Sequence, residues 1–234
     1  MAKVTLENLN KIFVSKIGKD VKAVNDFNLL LEDGEILALL GSSGCGKTTT
    51  LRMIAGFETA TSGQIKIGER IVNDLKPADR NVAMAFEGYA LYPPLTVKDN
   101  ISFSLMREKI SKDKVDSKVM EVAELLEITD ILERYPPSIS GGQQQRVSLA
   151  RALVRDSDAL LLDEPMSQLE PQLRAVLRAR VKDYIQHNNK TVIFVTHDQT
   201  EAVALADKIA VMENGDLKPA VSYTHLTLPT TLSV

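Results

Sequence analysis

Apolar residues follow two rhythms along the chain, and the rhythm changes as the sequence proceeds. Short unbroken apolar runs at 36–40 and 159–162 predict strands buried on both faces. Further strands are predicted at 4–6, around 21–31, at 64–67, at the β-branched stretch 191–195 and at 208–212. The acidic turn Glu32-Asp33-Gly34-Glu35 separates the second strand from the third, and its Asp-Gly pair predicts a hairpin there. Helices are predicted over 47–55, closing near Gly56, over 171–187 and over 199–206. Between Thr96 and Arg155 the spacing is helical, as in Val115, Val119, Val122, Leu125 and Leu126. Pro136-Pro137 closes that stretch, and Ser140 is placed to cap a helix from Gly142 to about Val154. Strands alternating with helices imply a mostly parallel α/β sheet covered on both faces. The helical stretch, about 91–156, reads as a subdomain inserted into a core of 1–90 and 157–219. Residues 220–234, rich in Thr and Leu, have no clear period and read as an off-pattern tail, artefactual or disordered.

Composition narrows the partners more than the fold. With 44% hydrophobic and 25% charged residues over 234 positions, one sizeable core is expected. A net charge of -3 gives no electrostatic reason to expect nucleic acid. No apolar run approaches the ~20 residues that span a bilayer, and the N-terminal residues lack the apolar stretch of a signal peptide. One cysteine, Cys45, excludes an internal disulfide framework and fits a reducing compartment. Any membrane role is therefore expected to come through a partner.

Gly41-Ser42-Ser43-Gly44-Cys45-Gly46-Lys47-Thr48 satisfies the phosphate-loop pattern and lies between a predicted strand and a predicted helix, as that pattern requires. Glycines let successive N–H groups approach phosphate oxygens, and the helix N-terminus adds its positive dipole end. Lys47 is expected to reach the β- and γ-phosphates of ATP, and the Thr48 hydroxyl to bind Mg²⁺, with Thr49 following in the helix. Cys45 reads as a small filler of the loop. Downstream, Leu160-Leu161-Leu162-Asp163-Glu164-Pro165 is an apolar strand ending in two carboxylates. In a P-loop ATPase the first would hold Mg²⁺ and the second would orient or deprotonate the attacking water. Taken alone the segment equally describes a strand running into a solvated turn; the upstream loop favours the catalytic reading. The fold expected is thus that of a P-loop NTPase: a RecA-like sheet, an N-terminal antiparallel part and the inserted helical subdomain.

Ser140-Gly141-Gly142-Gln143 opens a helix with two glycines, which cost helix stability on the order of 1 kcal/mol each. A cap alone does not need them; a second anion site at the exposed N–H groups does. Together with Gly41–Thr48, Leu160 to Glu164 and Thr196-His197-Asp198, this order and spacing resembles the ABC ATPases over roughly residues 3–218.

The resemblance implies that two ATPase subunits pair head to tail, alike or different, with ATP sandwiched between them. Ser140 and Gly142, with Gly141 and Gln143, would then face the γ-phosphate held by the partner's loop. His197 matches the histidine that supports Glu164, and Phe13 is placed like the aromatic residue that stacks on adenine, although an ordinary core phenylalanine would look the same. Asp79-Arg80-Asn81-Val82, Tyr89-Ala90-Leu91-Tyr92-Pro93 and Arg52-Met53-Ile54-Ala55-Gly56 resemble importers of sugars, polyols or glycerol phosphates. That implies integral-membrane permease subunits, faced by about 85–109, indirectly a solute-binding protein, and a peripheral place on the cytoplasmic side of the inner membrane. Two residues depart from the family pattern. Glu87 stands where glutamine is usual, still able to ligate Mg²⁺ but bringing negative charge toward the γ-phosphate, and Glu170 stands where aspartate is usual. They suggest a heterodimer whose other subunit carries the usual residues, or a low-activity regulatory subunit. A non-transport ABC ATPase is the other alternative, but the tandem domains or long coiled-coil insertions usual there are not seen. Such importers usually continue into a regulatory β-rich domain, which is expected to be missing beyond Pro219.

Overall fold

The computed structural model describes residues 2–15, 18–106, 110–218 and 221–222. The chain opens with strands β1 (Val4–Phe13), β2 (Val21–Leu31) and β3 (Ile36–Leu40), then helix α1 (Lys47–Ala55). β4 (Ser62–Ile67), β5 (Arg70–Ile71) and β6 (Val82–Ala85) follow, and then three helices, α2 (Val97–Phe103), α3 (Lys112–Leu125) and α4 (Gly141–Leu153). β7 (Ala159–Asp163), α5 (Pro171–His187), β8 (Val192–Thr196), α6 (Gln199–Leu205), β9 (Lys208–Glu213), β10 (Asp216–Leu217) and β11 (Val221–Ser222) complete it. Residues 220 and 223–234 of the expected tail lie outside the described residues, as do 107–109 of the expected partner-facing stretch.

The sheet runs β5-β4-β1-β2-β10-β9-β3-β8-β7-β6, with β11 on β9. β9, β3, β8, β7 and β6 are parallel neighbours, whereas β5, β4, β1 and β2 pair antiparallel. Alternation in the central strands divides the core. Ile36, Ala38, Leu160, Leu162, Val192 and Phe194 join the cluster built on α2–α6. Leu37, Leu39, Leu161, Ile193 and Val195 join the cluster beneath α1 and the antiparallel strands. Each fully buried Leu, Ile or Phe contributes about 1.5–3 kcal/mol, so shifting one of these strands by a residue would still bury apolar atoms but would mismatch both layers. The helices α2, α3 and α4 share the core of α5 and α6 rather than having one of their own. Asn100 on α2, wholly buried, exchanges hydrogen bonds with Tyr92 N and O and donates to Leu95 O and Thr96 O, fixing the turn that leads into the helix.

The hairpin expected at Asp33-Gly34 does not form. β3 is buried on both faces and takes parallel neighbours, β8 and β9, while β2 turns away to β1 and β10. The turn instead ties to the far strand: Gly34 N donates to Thr191 Oγ1 (3.0 Å), whose hydroxyl donates to Asp33 Oδ1 (3.1 Å). β1 also runs well beyond the predicted 4–6. Its register slips around Asn8, which takes a left-handed φ of 47°, and such a bulge hides the two-residue rhythm from the sequence. Among the described residues no helix is long and apolar enough to cross a membrane.

Candidate active site

Four parallel strands, β3, β6, β7 and β8, end on the same edge of the sheet, so the loops leaving them converge there. This is the crevice where open α/β sheets carry their ligands. From β3 comes the glycine-rich loop. Its last glycine, Gly46, caps α1 at φ 109°, and a Cβ there would run into the carbonyl oxygen of Ala23 on β2. Only glycine fits the conformation and the close approach together. Lys47 begins α1 and is 5% exposed; its Nζ donates to Gly41 O (2.8 Å) and Ser42 O (2.9 Å) and lies 3.8 Å from Cys45 Sγ. The ammonium thus sits folded onto carbonyls of its own loop. Cys45 is buried and fills the loop.

From β7 come the two carboxylates. Thr48 Oγ1 donates to Asp163 Oδ1 at 2.9 Å, bridging α1 and the end of β7. Asp163 is 2% exposed. Burial pushes its carboxyl above the usual carboxylate range; the Thr48 hydrogen bond opposes that, and the nearby charges of Glu87 and Glu164 reinforce it. A buried carboxylate disfavoured in this way, next to a hydroxyl, is a donor set suited to a hard divalent cation. Among the described residues no group of three or more His, Cys, Asp or Glu is arranged to hold a metal. A cation here would rest on Thr48 and Asp163, with Glu87 lining the same cavity, and take its other oxygens from phosphate and water, which is the habit of Mg²⁺.

From β8 comes His197, whose Nδ1 lies 3.0 Å from Glu164 Oε1 and 2.7 Å from Oε2. Glu164 has a left-handed backbone, φ 50°. Strain of that kind in a non-glycine residue gathers at functional sites. From β6 comes Glu87, which lines one cavity of about 170 Å³ with Ser43, Gly44, Lys47, Thr48, Thr49 and Glu164.

Asp163 and His197 adjoin that cavity through Thr48 and Glu164 without lining it, whereas Ser140–Gln143 and Phe13 stand apart. Ser140–Gln143 do not line it. Ser140 is exposed at the start of α4, its Oγ accepting from Gln143 N (3.3 Å) while Gln143 Oε1 accepts from Ser140 N (2.9 Å), a reciprocal capping box. Exposed Gly141 and half-buried Gly142 begin the helix, and a Cβ on Gly142 would press within 3.2 Å of Gln168 O. Packing by itself therefore disfavours a larger residue at 142. Phe13 ends β1 with 41% exposure and Lys11 Nζ 4.8 Å from its ring centroid, so it is not a core residue.

The profile of the ABC transporter family matches residues 24–167, more than half of the sequence. The chain belongs to that family. Among its relatives, the trehalose/maltose import ATP-binding protein MalK of Thermococcus litoralis is 48% identical over 93% of this chain and 59% of its own length. The sn-glycerol-3-phosphate import ATP-binding protein UgpC of Ruegeria pomeroyi is 46% identical over 92% of this chain and 60% of its own. The xylose/arabinose import ATP-binding protein XacK of Haloferax volcanii is 44% identical over 93% and 57% respectively. The chain thus spans about three fifths of the length of the curated relatives it matches. The dimeric post-hydrolysis structure of the ATP-binding cassette MJ0796, bound to ADP and Pi, superposes with a TM-score of 0.87 at 27% identity, over 95% of this chain and all of that one. The fold is that of an ABC-type P-loop NTPase.

Polar residues whose bracing role the sequence pattern does not disclose support the site from behind. Gln145 on α4 is 3% exposed and bonds the turn after β7; Arg151, farther along, donates to Tyr89 O (3.0 Å) and Ala90 O (2.7 Å) in the loop after Glu87. Arg80 holds the end of α1. The signal available for Gln145 was a polar residue on the apolar stripe of α4, in line with Ser148, Leu149 and Ala152.

Proposed function

We propose that this chain is the ATP-binding and ATP-hydrolysing part of an ABC importer, energising uptake of a carbohydrate or glycerol-phosphate-like solute. The observation that carries the reading is the convergence of Lys47, Thr48, Asp163, Glu164 and His197, from three separate strand ends, on one edge of the sheet. Lys47 would exchange its loop carbonyls for the β- and γ-phosphates, while loop N–H groups from Ser42 to Thr49 surround the triphosphate. Thr48 and Asp163 would hold Mg²⁺, which would offset the negative charge of the phosphates. Glu164 would accept a hydrogen bond from the attacking water and draw its proton, with His197 fixing the carboxylate on its far side. Phe13 would offer a face to adenine.

The exposed Ser140–Gln143 turn has no counterpart in its own cavity. It supports a head-to-tail dimer in which each such turn closes the partner's site, with a like or unlike second subunit. We assign α2–α4, within 91–156, to a helical subdomain that carries this turn. Between it and β6 lies an apolar groove of about 360 Å³ lined by Phe57, Met84, Phe86, Tyr92, Phe103 and Arg151, among others. Such a groove suits a short helix of a permease subunit on the cytoplasmic face of the membrane, with a solute-binding protein acting through it. The import names of the relatives at 44–48% identity support the direction and solute class. The test is Mg²⁺-dependent ATP hydrolysis by wild type and Glu164→Gln. The variant should bind nucleotide yet turn over about 100-fold more slowly; equal rates would end the reading.

A further inference from the structure

Glu164 holds a left-handed backbone that its side chain disfavours, so something must over-determine it. Its N–H donates to Val195 O (3.1 Å), which fixes one side of the residue to β8. The other side is held by Gln145. The Gln145 Nε2 amide donates to Glu164 O (2.9 Å) and to Ser167 Oγ (3.1 Å), and Gln145 Oε1 accepts from Gln168 N (2.9 Å). Both amide hydrogens and the oxygen are used, in a side chain that is 3% exposed. Ser167 Oγ in turn donates to the same Glu164 carbonyl (3.3 Å). The turn from Glu164 to Gln168 is therefore closed around one buried amide. That amide belongs to the second turn of α4, the helix capped by Ser140.

We propose that Gln145 is the positioning residue for Glu164: it holds the strained turn that aims the carboxylate, and joins that aim to the helix that begins at Ser140. The inference rests on the proposed hydrolytic role of Glu164. It requires an amide at position 145, because only a group with donor and acceptor ends satisfies the Glu164 carbonyl and the Gln168 N–H at once. Methionine has the length but neither end, and a glutamate carboxylate would face a carbonyl with no hydrogen to give. Because α4 is a rigid rod, a shift of its N-terminus moves Gln145, and Gln145 moves the backbone of Glu164.

The test compares wild type, Gln145→Met and Gln145→Glu in the full-length protein, by steady-state ATP hydrolysis and by titration with a fluorescent ATP analogue. Both variants should lose at least tenfold in kcat while nucleotide affinity stays within twofold. In a Glu164→Gln background, single-turnover hydrolysis should drop less than twofold on adding Gln145→Met, since the residue acts through the carboxylate. A kcat left unchanged, an affinity that falls in step with kcat, or the same loss in both backgrounds would each overturn the proposal. Should Gln145→Met fail to fold, Ser167→Ala changes no residue of α4 but removes the hydroxyl that donates to the same carbonyl and accepts from Gln145 Nε2. It should show the same split in smaller measure, and an unaltered kcat there would refute the idea equally. A wild type that hydrolyses no ATP would instead sink the proposed function itself.

Discussion

Thr48 Oγ1 and Asp163 Oδ1 stand 2.9 Å apart although 115 positions separate them in the chain. One opens the helix after the glycine-rich loop and the other ends the next-but-one strand of the sheet, so the bond exists only because β3, β8 and β7 lie in register. Removing the hydroxyl should expose what it does. Thr48→Val keeps the shape but deletes one oxygen of the expected cation site, and hydrogen bonds to charged groups are worth about 1.5–3 kcal/mol. Nucleotide affinity in the presence of Mg²⁺ should therefore fall about 10–100-fold, while affinity measured in EDTA barely changes. Calorimetric titration under both conditions checks the pair, and an equal loss in EDTA would place the hydroxyl on the nucleotide instead.

His197 is the second handle. Its imidazole is exposed and touches Glu164 through Nδ1 alone. His197→Ala leaves the carboxylate free to swing, and misplaced acid–base groups lose on the order of 10²-fold. The expected result is a kcat lowered by about that factor with little change in the concentration of ATP for half-saturation, read from steady-state kinetics. A rise in that concentration alone would make His197 a binding group.

How far the sequence discloses all this depends on how local the cause is. The apolar runs of β3, β7 and β8 are legible because burial on both faces leaves no polar positions to confuse the rhythm, and the glycine-rich loop is legible because backbone approach dictates its residues. The Asp33-Gly34 turn misleads because a turn signal says that the chain reverses, not which strand it then pairs with. The bracing roles of Gln145 and Arg80 are hidden for a different reason. Long polar side chains normally signal surface, and although its place on the apolar stripe of α4 marks Gln145 as buried, the sequence does not say which distant turn its amide meets.

Glu201 offers a pH test away from the candidate site. It is 4% exposed on α6, its Oε2 accepts from Thr196 Oγ1 at 2.5 Å, and its Oε1 has no hydrogen-bond partner among the described residues. Burial pushes its carboxyl above the usual range; the Thr196 bond opposes this and Asp198 adds to it. The folded protein therefore keeps a proton that the unfolded chain has lost. That contribution is full below the ordinary glutamate range and declines as pH rises through the folded value. Glu201→Gln retains an oxygen for Thr196 without the charge. Its melting temperature should gain on that of wild type as pH climbs from about 4 to 8, and parallel curves would show that Glu201 does not titrate differently on folding.

Glu87 sets an electrostatic question that glutamine would remove. Its carboxylate lines the cavity beside Lys47 and Glu164, and its charge is felt at Asp163. A like charge at ~4 Å in a water-like dielectric costs about 1 kcal/mol, so Glu87→Gln should tighten nucleotide binding about fivefold. The gain should shrink in high salt, because the cavity opens to solvent. Competition titrations at two ionic strengths check both points; weaker binding in the variant would mean that the carboxylate serves the cation more than it repels phosphate.

Arg80 is where fold and site meet most directly. Its guanidinium, 3% exposed, donates to Met53 O (2.7 Å) and Ile54 O (3.0 Å) at the end of α1, and to Leu75 O (2.9 Å) and Asn73 O (2.9 Å) in the preceding loop. A positive charge here also suits the negative end of the helix dipole, although burial lowers the pKa of the group. Arg80→Ala removes a donor from four carbonyls, of which Met53 O keeps only Gly56 N; at about 1–3 kcal/mol for each buried group left unsatisfied, the other three point to a loss of at least about 3 kcal/mol in unfolding free energy. Lysine cannot reproduce the planar fork and should recover only part. Because α1 carries Lys47 and Thr48 at its other end, a loosened C-terminus would also blur the phosphate loop. Urea unfolding of the two variants measures the stability, and nucleotide titration well below the transition measures the site. Arg80→Ala should lose in both, and intact stability would show that the four carbonyls find water after all.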